Sequence, residues 1–82
     1  MRYSQEIMDA VKKALYDLTP YSINGGLFLS RELAPYISKE MKVHVTTKVV
    51  ARYLMHLEKQ GLVEKVIYQA SQEIYRWRLT DG

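Results

Sequence analysis

The hydrophobic periodicity of this chain changes character at Gly61, and that change limits the folds open to it more than any other feature. Before it, Val49, Val50, Tyr53, Leu54 and Leu57 fall on one side of a helical wheel, while Lys48, Ala51, Arg52, Met55 and Lys59 take the other. After it, Leu62–Tyr68 and Glu73–Leu79 are two runs rich in β-formers, joined by the polar link Gln69-Ala70-Ser71-Gln72. In the second run Tyr75, Trp77 and Leu79 alternate with Arg76 and Arg78, which sends aromatic bulk to one face and guanidinium groups to the other. Gly61 supplies the C′ position of a helix that starts at Thr46 or its neighbour and runs to Gln60. Leu62 can close back on Leu57 in a Schellman arrangement. A helix followed at once by a hairpin is the expectation for the C-terminal half.

The first half reads as two further helices. Ser4 is a good N-cap for a helix through about Leu18, with Glu6 at its positive end and Tyr3 and Met8 spaced as a hydrophobic staple. Ile7, Val11, Ala14, Leu15 and Leu18 form its apolar stripe, and Thr19-Pro20 ends it. Asn24-Gly25-Gly26 reads as a turn, and Leu27-Phe28-Leu29 as a short strand needing a partner elsewhere. Ser30 then looks like a second N-cap for a helix to about Met41, with Leu33, Tyr36 or Ile37, and Met41 as its stripe. Pro35 removes one ladder bond, to the carbonyl of Arg31, and a tight or 3₁₀ first turn would absorb the disturbance. Lys42-Val43-His44-Val45 lacks helical phase and reads as the connecting turn.

Composition narrows the function classes. The chain has 82 residues, no cysteine, 48% hydrophobic and 26% charged residues, so one small ordered domain over residues 1–82 is expected. A disulfide scaffold and a thiolate zinc site are excluded. No apolar run approaches the roughly 20 residues a membrane helix needs. Charges at Glu6, Asp9, Lys12 and Lys13 interrupt any signal-peptide core, and the expected location is the cytoplasm. Catalysis finds no support: His44 and His56 lie in a turn and on a helix flank, without a paired carboxylate or a nucleophile at telling spacing. No cofactor or metal is expected.

The net charge of +3 is modest, but it is unevenly placed. Residues 1–41 carry five basic and five acidic side chains, whereas residues 42–78 carry seven basic and three acidic. An anionic partner would explain that asymmetry.

The stretch YLMHLEKQGLVEKV followed by IYRWRLT resembles the end of the recognition helix and the wing of winged helix-turn-helix proteins. Leu54 and Leu57 take the place of the leucines that anchor that helix, Gly61 of the glycine that stops it, and Leu62 and Val63 of the aliphatic pair that starts the wing. The resemblance spans roughly residues 4–80, and includes small stand-alone bacterial regulators of the fimbrial-operon type and PadR-like repressors. The stretch from Ile37 to Val45 is longer than the usual helix-turn-helix link. The fold this implies is α+β: three helices, a short strand before the second, and a C-terminal β-hairpin wing.

What the resemblance implies about function is sequence-specific binding of double-stranded DNA by a small transcriptional regulator, with the third helix in the major groove. On its outer face stand Thr46, Thr47, Lys48, Ala51, Arg52 and Met55. Arg52 suits a bidentate contact to guanine, Lys48 a base or a phosphate, Thr46 and Thr47 backbone oxygens, and Met55 a thymine methyl. Lys59, Lys65, Arg76 and Arg78 suit phosphates. Charged residues on an amphipathic helix and an exposed hairpin face also serve simply as solvated surface. One small module buries little surface on DNA, which fits a homodimer or a complex with a partner regulator, and Tyr16 and Tyr21 are the candidates for a subunit interface, beside the plainer reading of exposed tyrosines. Trp77 is expected to pin the wing to the helices. The rival reading is a winged-helix protein–protein interaction module whose third helix meets an acidic partner; a third is RNA binding through the same basic half.

Overall fold

The computed structural model of the chain describes residues 4–22, 26–69 and 74–80. Over these it is an α+β arrangement of three helices, α1 (Gln5–Leu18), α2 (Ser30–Met41) and α3 (Thr47–Lys59), and an antiparallel pair of strands, β1 (Val63–Gln69) and β2 (Ile74–Leu79). Tyr3 of the proposed staple, Asn24 and Gly25 of the first turn, and the hairpin link at 70–73 lie outside the described residues.

The helix ends follow from local chemistry. The Ser4 hydroxyl accepts the Ile7 N–H at 3.4 Å and opens α1. At its other end the α-helix stops at Leu18, and Thr19–Tyr21 continues as one 3₁₀ turn around Pro20, with the Thr19 hydroxyl donating to the Leu15 carbonyl. Gly26 follows at φ +83°, buried against Thr19; a Cβ there would sit 3.1 Å from the Thr19 methyl. Both requirements select glycine.

The start of α2 differs from the sequence expectation. Ser30 is the first helical residue, and the cap is Leu29, whose extended backbone (φ −78°, ψ 149°) precedes the helix. The reason lies three residues on: the Glu32 carboxylate accepts the Leu29 N–H at 2.7 Å, supplying the returning half of a capping box without a capping hydroxyl. The Leu29 carbonyl takes the Glu32 N–H at 2.9 Å and the Leu33 N–H at 3.3 Å. This tight first turn precedes Pro35, and α2 runs through the proline without stopping.

The core is built from one stripe per helix. Val11, Ala14 and Leu15 of α1, Leu33 and Ile37 of α2, and Val50, Tyr53, Leu54 and Leu57 of α3 are buried together with Val45, Val63 and Trp77. Tyr53 keeps a polar tip inside this packing, its hydroxyl accepting the Ser4 backbone N–H at 2.7 Å. Deep burial fixes the rotation of each helix about its axis, and therefore which side chains face outward.

The expected strand at Leu27–Leu29 is reduced to a single bridge. Phe28 and Trp77 exchange backbone hydrogen bonds at 2.9 and 2.8 Å, so β2 lies between β1 and Phe28. The hairpin register pairs Val63 with Leu79, Glu64 with Arg78 and Lys65 with Trp77, with an irregularity between Ile67 and Gln69. Among the described residues, no helix is long and apolar enough to cross a membrane.

Candidate nucleic-acid interface

The turn between α2 and α3 sets the position of the outward face of α3. Lys42 ends α2 in the left-handed region (φ 60°, ψ 27°). The Ser38 hydroxyl then reaches across: it accepts the Val45 N–H at 2.9 Å and donates to the Val45 carbonyl at 3.1 Å. One side chain thus satisfies both polar groups of a residue whose own side chain is buried. Thr46 caps α3, its hydroxyl accepting the Val49 N–H at 3.2 Å. At the far end Gly61 (φ +76°) completes the expected Schellman motif, with Leu62 N–H on the Leu57 carbonyl at 3.0 Å and Gly61 N–H on that of Glu58 at 2.9 Å. The Thr80 hydroxyl donates to the Gly61 carbonyl at 2.8 Å and ties the base of the hairpin to the same corner.

With Val50, Tyr53, Leu54 and Leu57 inward, Thr46, Thr47, Lys48, Arg52, Met55 and Lys59 are all exposed. The six residues singled out from the sequence here, the cap Thr46 and five residues of α3, are thus all open to solvent, with Lys48, Arg52, Met55 and Lys59 sharing the side opposite the buried stripe. Among the described residues no carboxylate lies within 4 Å of the Lys48 or Lys59 ammonium. The charge of these lysines is therefore directed to solvent.

The hairpin cations behave differently from one another. Lys65 is exposed but stands directly opposite Trp77 on the sheet face that packs inward, and its ammonium lies 4.6 Å from the centre of the Tyr75 ring. Arg78 pairs across the strands with Glu64, an exposed contact. Arg76 is not open to solvent as strand alternation suggested. Its side chain is only 12% exposed, and its Nη1 donates to Glu32 at 3.1 Å and to the Leu27 carbonyl at 3.4 Å. Alternation sends it away from Trp77, but the Leu27–Leu29 segment and the first turn of α2 lie on that side and enclose it.

Sequence reasoning missed Arg31. It belongs to the charge-balanced first half, yet it is exposed and lines two grooves beside the start of α3. One is shared with Thr47 and Ala51, the other with His44, Thr46 and Thr47. Only the three-dimensional proximity of the α2 and α3 N-termini joins it to the basic face. His56 is half-buried, its Nε2 3.3 Å from Gln60 Nε2. Among the described residues no three His, Asp or Glu side chains group so as to hold a metal ion. Compared with protein-family models, with curated proteins and with solved structures, the chain matches none of them.

Proposed function

We propose that this chain is a winged helix-turn-helix module that binds double-stranded DNA and acts as a small transcriptional regulator, as a homodimer or with a partner regulator. The order of three helices and a hairpin, with Phe28 bridged to β2, is compatible with that layout. The observation that carries the reading is the rotation of α3. Its buried stripe leaves Lys48, Arg52 and Met55 facing outward, and Thr47, Lys48 and Arg52 lie in the N-terminal half, the half that enters a major groove. Lys59 at the far end and Arg31 on α2 extend the positive field to either side.

A second reading, an interaction module for an acidic protein surface, draws on the engagement of Arg76 and Arg78 within the fold. That engagement lowers the positive charge the hairpin offers to a duplex. Titration of a fluorescent mixed-sequence duplex at several salt concentrations separates the two. Neutralising about three to five phosphates gives log K against log[salt] a slope of roughly −3 to −5. Absence of binding at low salt overturns the DNA reading. Selection from a random duplex library then reports the preferred site and its symmetry together.

A further inference from the structure

A groove of about 510 Å³ separates α2 from the start of α3. Ala34, Pro35 and Val45 give it an apolar wall, while Arg31, His44 and Thr47 supply polar side chains. His44 belongs to the stretch from Ile37 to Val45, which is longer than the usual helix-turn-helix link. The fold fixes that stretch on both sides of His44: Lys42 turns through the left-handed region at φ 60°, and the Ser38 hydroxyl holds both backbone groups of Val45. Arg31 and His44 are both exposed, and among the described residues no carboxylate lies within 4 Å of either. Of the groups that share the groove with His44, Arg31 and Ser38 from α2 and Thr46 and Thr47 at the start of α3, only Arg31 is charged. The nearby charges on the turn and on α3, Lys42 and Lys48, are positive and exposed as well. The acids of α2 are engaged elsewhere, Glu32 by Arg76 and Glu40 by Lys13. A positive groove with an apolar wall suits a phosphate flanked by sugars.

We propose that this groove seats one phosphodiester of the duplex backbone between Arg31 and the protonated ring of His44, so that DNA affinity rises as pH falls. The proposal rests on the DNA reading and adds to it a contact outside the buried-stripe geometry of α3, together with a dependence on pH. A guanidinium matches two phosphate oxygens with its planar fork. A histidine ring changes charge between about pH 5 and pH 8, and only its imidazolium form adds a positive charge to the phosphate. Binding therefore takes up a proton, and affinity falls as pH rises through that range. Backbone contacts carry no sequence information, so base preference stays the same across it.

The test measures binding of a fluorescent mixed-sequence duplex to the full chain at about pH 6 and about pH 7.5, at several salt concentrations. The parent chain is expected to bind about three- to tenfold more tightly at the lower pH. His44→Gln is expected to lose that difference, and His44→Lys, charged throughout, to bind tightly at both values. His56→Gln, a change outside the groove lining, is expected to keep the difference. Arg31→Gln is expected to weaken binding at both values and to reduce the magnitude of the salt slope by roughly 1. By NMR the His44 ring is expected to titrate at higher pH with duplex bound than in the free chain. If a His44 variant fails to fold, that ring titration of the parent chain decides. Equal duplex binding at the two pH values, or a difference that survives in His44→Gln, overturns the proposal and leaves the DNA reading standing. No duplex binding at either value overturns both. A His44 titration moved by inorganic phosphate at matched ionic strength but not by duplex assigns the groove to a free phosphate and overturns the seat for DNA.

Discussion

Arg76 and Glu32 join the hairpin to the N-terminus of α2: Arg76 Nη1 lies 3.1 Å from Glu32 Oε1, the oxygen that also accepts the Leu29 N–H at 2.7 Å. One carboxylate thus caps a helix and holds a strand, and the pair spans 44 residues of sequence. Because the Arg76 side chain is 12% exposed, removing it leaves Glu32 with one partner fewer and opens a gap over Leu27. Arg76→Gln is expected to destabilise the fold by about 1–3 kcal/mol. A double-mutant cycle with Glu32→Gln should show a coupling of roughly 0.5–3 kcal/mol in denaturant unfolding. Strict additivity would show that the two residues do not act as a pair. In the DNA reading Arg76 is a positioning residue. Its loss is expected to leave the salt slope of binding unchanged while lowering the unfolding midpoint.

The Ser38 clamp carries the second prediction. Its hydroxyl satisfies both backbone groups of Val45, and Thr46, the cap of α3, follows immediately. Ser38→Ala leaves a donor and an acceptor beside a buried side chain without their partner, at a cost of about 1–3 kcal/mol. Hydrogen exchange of the Val45 amide is expected to accelerate by more than the global loss of stability explains, because the clamp is local. Exchange at Val45 that only follows global unfolding would contradict this.

Several elements are legible in the sequence because a single residue decides them. Ser4 and Thr46 cap through their own hydroxyls, and Gly61 takes a backbone conformation that its neighbours resist. The outer face of α3 is legible for the same kind of reason, since one helical period fixes all of it. Leu29 is not legible as a cap because the acceptor sits on Glu32, and Ser30 imitates the expected pattern one position too late. The enclosure of Arg76 and the placing of Arg31 beside Thr47 are invisible to periodicity. Both depend on segments far apart in sequence meeting in space.

Alkaline pH is expected to loosen the contact between α1 and α2. Lys13 donates to Glu40 and lies 4.0 Å from Asp17, and the hydrogen bond to Glu40 raises its pKa above the ordinary lysine value of 10.5. The Tyr36 hydroxyl donates to Asp17 at 2.9 Å, and that bond raises the phenol above its ordinary 10.0. Both groups hold their protons more tightly folded than unfolded. Their contribution is complete below the unfolded values and is lost as pH rises through the folded ones. The melting temperature should therefore be indifferent to this cluster near neutrality and fall as the pH rises above the ordinary values of the two groups, 10.0 and 10.5. Glu40→Gln and Tyr36→Phe should each make that alkaline fall shallower. An unchanged profile in both variants would place the loss elsewhere.

The division of labour along α3 gives the sharpest test of the proposed function. Arg52 stands midway along the outward face, where a guanidinium can donate twice to a guanine edge, whereas Lys48 stands one turn nearer the helix start. Arg52→Ala should weaken binding to the selected site by about 1–3 kcal/mol and relax preference at one base position. Lys59→Ala should weaken binding evenly across sequences and reduce the magnitude of the salt slope by roughly 1, the signature of a phosphate contact. Lys65, whose ammonium is held over the Tyr75 ring, should alter affinity without altering preference. Arg52 and Lys59 are both exposed, outside the buried core, and a melting curve recorded for each variant separates a loss of contact from a loss of fold. A larger change in base preference from Lys65→Ala than from Arg52→Ala would reverse the assignment, giving the reading of bases to the hairpin and leaving α3 as its support.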